Sequence, residues 1–374
     1  MKKFFKYILL IMIAIFITGC FPTGENSAVS DDSKSNNIFA DAEKIDNFSL
    51  SLTLPQDCPS ELNQITASAM RWNKDTVLGA FQGDKTITSE KEYSSDRYPQ
   101  EKRTFFEFDD DSYVSFEAER LSYNNKKTND EYSYQFFFSN LETFYENRDC
   151  SYVSELESFS KADAVKRVRE LAKKLGITHL AEPIVYGLTA EEANKYFLAE
   201  KQFYNSDDYE YTEWESVNEV YFITFPLLFN GVPTETNSVS VPGSSSDGSY
   251  VKAIVTQNSI TYLSCEGITM PEYAVGKSVK VNFNAEDILS KIVSAYSQIV
   301  LSDNVEFYDC ELTYAPIEKL PNGEIVLAPV WRFDYALSSV IYDESLDKNL
   351  EYSARYNEIY NVETGNRIAF EWQH

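Results

Sequence analysis

Histidine is nearly missing from this 374-residue chain, which has only His179 and His374. Nucleophile–base pairs and metal centres usually draw on imidazole, so triad-type catalysis and histidine metal sites have little to work with. Positive charge is short as well: 33 basic side chains face 59 acidic ones, a formal charge of −26. Nucleic-acid binding needs a basic surface that displaces counterions from phosphates, so that class is excluded. Cysteine occurs five times and never as CxxC, which argues against a zinc ribbon. No GxSxG, Walker loop, GxGxxG or HExxH occurs, and the three SxxK matches (Ser158/Lys161, Ser249/Lys252, Ser345/Lys348) are followed by no KTG. No metal site and no cofactor are expected. With 43% hydrophobic and 15% aromatic residues, the chain still has ample material for large cores.

The first twenty residues carry the strongest signal. Met1 to Lys6 is basic, and Tyr7 to Ile17 is an unbroken apolar run. Eleven residues rise about 16 Å as a helix, too short for a hydrocarbon core of about 30 Å, so the run reads as an export signal. Ile17-Thr18-Gly19-Cys20 follows directly and resembles the lipobox of bacterial lipoproteins. That resemblance implies cleavage between Gly19 and Cys20, with Cys20 lipidated as the first mature residue. The implied address is the extracytoplasmic face of the cell membrane, where two acyl chains at one site suffice for stable anchoring. Removing residues 1–19 takes Lys2, Lys3 and Lys6 and no acid, which carries the net charge from −26 to −29. Anionic headgroups repel such a body, so the lipid must hold it down.

Residues 20–47 are rich in Ser, Asn and Asp and are expected to be a flexible tether. Residues 48–153 read as a β-rich N-terminal domain. They contain a short helix from Asn73 to Phe81, a hairpin around Asp109, Asp110 and Asp111, and a third strand over Tyr132 to Ser139. The three aspartates lack the spaced ligands of a calcium loop and read as a solvated turn. Of the four remaining cysteines, Cys58 and Cys150 flank this segment and form the disulfide pairing to test first. Buried thiols are the alternative.

Residues 154–270 and 280–374 read as two α+β modules. In the first, Ser160 caps a helix with an apolar stripe over Val165, Val168, Leu171, Ala172 and Leu175, closed by Gly176. A second helix opens at the Thr189 capping box, and strands flank the Asn230-Gly231 turn. In the second module, Asn284 caps a helix striped by Ile288, Ile292, Ala295, Tyr296 and Ile299, and three β runs follow. The fold class expected is therefore α+β, with tandem helix-on-antiparallel-sheet modules behind a β-rich N-terminal domain.

The capped helix, "LAPVWRFDY" and "YNVETGNRIAF" together resemble PepSY-type modules and the extracytoplasmic YycI and YycH regulators. More broadly, the lipobox, the acidic body and "NSITYLSCEGITMP" resemble uncharacterised lipoproteins of clostridia. The resemblance covers residues 155–374 and implies an envelope protein that binds or regulates, with an envelope or membrane protein as partner and no catalytic residues. A ligand-binding lipoprotein for glycan, peptide or cation is the alternative, and a cell-wall or polysaccharide hydrolase the third class. Candidate ligand contacts are Tyr204, Tyr209, Tyr211 and Trp214, aromatics on an acidic loop for which the favoured reading is that they cover the sheet edge or pack on the helix before them. His179 follows a helix end and is expected to be structural.

Overall fold

The computed structural model describes residues 33–94, 102–141, 143–145, 150–203, 210–236, 239–241, 244–246, 248–320, 323–343 and 348–368. The signal, Gly19, Cys20, Tyr204, Tyr209, Ser345 and His374 lie outside them. The described residues from Ile38 onward form one compact unit.

Helix α1 (Ser33–Ala42) and the short strand β1 (Phe48–Leu50) open the described chain, followed by β2 (Glu61–Ala69). Within the range 20–47 expected to be a tether, Ile38 and Ala42 are core residues. Ile38, Phe39 and Ala42 fall on one face of the helix and Ile45 follows in the turn after it, a signal the polar composition around them hides. Next come helix α2 (Lys74–Phe81) and strands β3 (Ile87–Ser94), β4 (Lys102–Phe108), β5 (Ser112–Glu117) and β6 (Arg120–Asn125). Asn73 caps α2 by accepting a bond from the Thr76 N–H at 3.1 Å. The expected third strand over Tyr132–Ser139 is instead helical, as α3 (Lys126–Tyr132) and α4 (Tyr134–Ser139). Its aromatics do not alternate; Tyr134 and Phe137, three apart, turn to the core together. Strand β7 (Thr143–Tyr145) closes this stretch.

Helix α5 (Lys161–Lys174) has Ser160 as its cap, with the Ser160 hydroxyl accepting from Asp163 N–H at 3.1 Å, and ends at Gly176 with φ +88°. Strand β8 (Ile184–Leu188), helix α6 (Ala190–Phe203) and strand β9 (Val220–Pro226) follow. Strands β10 (Leu228–Phe229) and β11 (Val232–Pro233) form a hairpin whose Asn230-Gly231 tip has φ of 49° and 79°, the pair of positive values a type I′ turn needs. After β12 (Val239–Val241) and β13 (Ser244–Ser246) come β14 (Tyr250–Thr256), β15 (Ile260–Glu266) and β16 (Thr269–Lys280). Then follow α7 (Ala285–Tyr296), β17 (Asn304–Lys319), β18 (Glu324–Asp343) and β19 (Lys348–Asn361).

Two large sheets result, so the fold is α+β with a β-rich N-terminal region. The eight-stranded sheet runs β3-β4-β5-β6-β15-β14-β9-β8, antiparallel throughout. Its two halves meet at β6–β15, and each half is four strands preceded by a helix, α2 or α5. Both helices pack on one face, where Val77, Phe81, Val168 and Ala172 join Phe106, Val114, Tyr221, Ile223, Phe225 and Val251. The other face carries Val220, Phe222 and Ile254 under α4 and α6. Successive β9 side chains therefore enter different cores, which explains why that strand reads as a continuous apolar run.

The seven-stranded sheet runs β1-β17-β18-β19-β7, with β2 joining β18 and β16 joining β2. Helix α7 lies over it, burying Ile288, Leu289, Ile292 and Val293 against Phe307, Trp331 and Phe333. Residues 48–153 thus do not close on themselves: β1, β2 and β7 belong to this second sheet, and β3 to β6 complete the first. The stretch 271–279, left between the two expected modules, is the middle of β16. Pro271 and Gly276 mask it, and bulges near both interrupt its pairing with β2. Cys58 and Cys150 are not joined. Both stand as thiols, Cys58 beside the α7 core and Cys150 beside the α6 core, so they serve different layers.

Candidate functional site

The "PVW" and "TG" motifs that carry the family resemblance meet in space. The Trp331 indole N–H donates to the Phe283 carbonyl at 2.9 Å, and the Phe283 N–H donates to Val362 O at 3.1 Å. Lys291 of α7 caps the Phe283 ring at 3.8 Å and donates to Gly365 O at 3.1 Å. Gly365 has φ +65°, and a Cβ there would meet Phe283 ring atoms at 2.8 and 2.9 Å. These residues tie the start of α7 to the final turn. Their role is architectural.

Buried charge gathers in three places. Arg332 is surrounded by Glu311 at 2.9 Å, Asp334 at 3.2 Å, Glu235 at 3.8 Å and Asp309 at 4.0 Å. Burial alone would lower this guanidinium's pKa, but Glu235, Asp334 and the other acids raise it. Burial pushes the Glu311 carboxyl up, against the pull of Arg332. At an effective dielectric near 20, charges about 4 Å apart interact by about 4 kcal/mol, so the acids and Arg332 hold one another in place. Glu358, 2% exposed, accepts from Tyr360 at 2.6 Å and Tyr296 at 3.3 Å and pairs with Arg367 at 3.1 Å, which pins the last described turn to α7. Arg120 pairs bidentately with Glu266 at 2.5 and 3.0 Å across β6 and β15, the seam of the eight-stranded sheet. Among the described residues, no three acidic, histidine or cysteine side chains converge on a point that a metal could fill.

The aromatic loop resolves into packing where it is described. Trp214 is buried edge-on against Tyr134 at 5.0 Å and Phe137 at 5.5 Å, and Tyr211 stacks on Phe197 at 4.8 Å. Asn194 of α6 clips the backbone of Trp214 in both directions, at 2.8 and 2.9 Å. These two rings cover helices. At the acidic turn, Asp109 accepts from Thr86 N–H, Asp110 accepts from Ser112, and Lys85 lies 3.3 Å from Asp110. His179 packs on Phe229 at 5.1 Å with both ring nitrogens buried and unpartnered. Burial lowers its pKa despite the nearby Glu272, so the ring is neutral near pH 7. The structural role expected of His179 rested on a cation at a helix end; the buried setting makes it a neutral packing residue instead.

A cleft of about 530 Å³ lies between α1 with its following turn and α7 with the loop beyond it. Ile38, Ile45, Val293, Ile299 and Leu301 form its apolar floor, and fully exposed Val300 stands at the rim. Ser290, Ser294 and Ser297 line one wall, spaced i, i+4, i+7 and therefore on one face of the helix. Asp41, Lys44 and Asp46 line the other; Lys44 bonds Asp41 at 2.6 Å. The walls are braced: Asn47 donates to Leu301 O at 3.0 Å, and Asn47 O accepts from Val305 N–H at 2.9 Å. The sequence offered no sign of this cleft, because its two walls are formed by residues 38–46 and 290–301.

No family model and no curated protein matches the chain. In fold it is similar to an uncharacterised protein from Eubacterium rectale seen by crystallography, at 13% identity and TM-score 0.62, over 90% of this chain and 99% of that one. The likeness is one of fold.

Proposed function

We propose that this chain is a lipid-anchored protein of the extracytoplasmic face of the cell membrane, with a non-catalytic binding or regulatory role at the envelope. The observation that carries the reading is the lipobox Ile17–Cys20 behind a short apolar run. It is supported by the use of the buried charges: Arg332, Glu358 and Arg120 are each engaged across strands or between a strand and the final turn. The helix-then-antiparallel-strands order recurs at α2, α5 and α7. That recurrence favours tandem PepSY-like modules, now extended to the N-terminal segment. The braced cleft beside α1 favours the ligand-binding form of the role.

Crosslinking on intact cells followed by mass spectrometry tests this reading. Recovery of one membrane or envelope protein supports it; recovery of glycan adducts alone overturns the protein-partner form.

A further inference from the structure

We propose that the cleft between α1 and α7 binds an extended peptide segment that inserts an apolar side chain and presents a basic group to Asp46. This deepens the binding role proposed above and rests on it. The volume, about 530 Å³, lies within the range of built ligand sites. The floor is aliphatic, and among the described residues no aromatic ring lines the cleft to offer the stacking surface that sugars favour. Three serine hydroxyls run along one wall at helical spacing: Ser290 and Ser294 can donate to or accept from a peptide group, and Ser297, which donates to Ser294 O at 2.8 Å, can accept.

Charge selects the sign of the ligand. Lys44 is engaged by Asp41, whereas Asp46 has no ion-pair partner among the described residues. A processed chain of net charge −29, the −26 of the full sequence less Lys2, Lys3 and Lys6, also draws basic ligands toward it. The cleft is preformed, since Asn47 bridges its two walls, so binding requires little ordering.

The test uses the full lipidated chain in lipid nanodiscs and a photo-leucine form of the tripeptide Leu-Lys-Leu amide, with Leu-Glu-Leu amide as its charge-reversed counterpart. Adducts of the lysine probe are expected within residues 38–46 and 290–301, at five-fold or greater yield over the glutamate probe. Ser294 is exposed, so Ser294→Trp fills the cleft without touching the core and should cut the yield at least five-fold. Asp46→Asn changes charge with little change in shape and should cut it about three-fold. Adducts scattered outside the cleft, equal labelling by both probes, or unchanged labelling of Ser294→Trp each overturn the proposal. Anchoring is read separately by flotation with vesicles, so a chain that floats but is not labelled refutes the peptide site alone.

Discussion

Replacing Gly365 by alanine should destabilise the protein more than its single added methyl suggests. An L-residue at φ +65° costs about 1–2 kcal/mol of backbone strain. The new Cβ also meets the Phe283 ring at 2.8 Å and the Lys291 ammonium; the lysine end can swing away, whereas the ring sits under that ammonium and against the α7 core. The Phe283 carbonyl accepts the bond from buried Trp331, so relieving the clash by a shift of the Phe283 backbone leaves the indole N–H unsatisfied, at about 1–3 kcal/mol. The expected loss is therefore about 2–5 kcal/mol. Gly323 supplies the comparison: its φ is +85°, and nothing lies within 4 Å of its Cβ position. Gly323→Ala should cost only the backbone share, about 1–2 kcal/mol. Equilibrium urea unfolding followed by tryptophan fluorescence measures both. Equal losses for the two variants would refute the claim that the Phe283–Trp331–Lys291 contact holds the final turn to α7.

Other outcomes follow from the same structure. Gly79 lies inside α2 with open space around it, so Gly79→Ala should raise the urea midpoint, by about 0.5–1 kcal/mol in stability. His179 has a folded-state pKa below its ordinary value, so the unfolded chain binds more protons in that window. Stability should fall as pH drops below about 6.5, and His179→Leu should flatten that part of the urea-midpoint profile. Burial pushes the thiols of Cys265 and Cys310 up, so iodoacetamide at pH 8 should leave both unmodified in the native protein, as read by peptide mass mapping. The same map should show Cys58 and Cys150 without a disulfide link between them.

Local chemistry was the legible part of the sequence. Asn73, Ser160, Thr189 and Asn284 cap helices as their types predict, and Asn230-Gly231 makes its turn. Each depends on a few neighbouring residues. Long-range placement was not legible. Nothing local tells Glu61–Ala69 that it pairs with Thr269–Lys280, nor Phe48–Leu50 that it lies parallel to Val305–Phe307. Tyr132–Ser139 misled because three adjacent phenylalanines suit a strand by type, while their contacts follow helical spacing. Trp214 resembled a ligand contact because loop aromatics often are; its burial under Tyr134 and Phe137 comes from a helix remote in sequence.

The most direct measurement of the central claim is the intact mass of the protein purified from the membrane fraction. The account predicts a chain that begins at Cys20, lacks residues 1–19 and carries a diacylglyceryl adduct on that cysteine. A full-length mass without acyl adduct would contradict it.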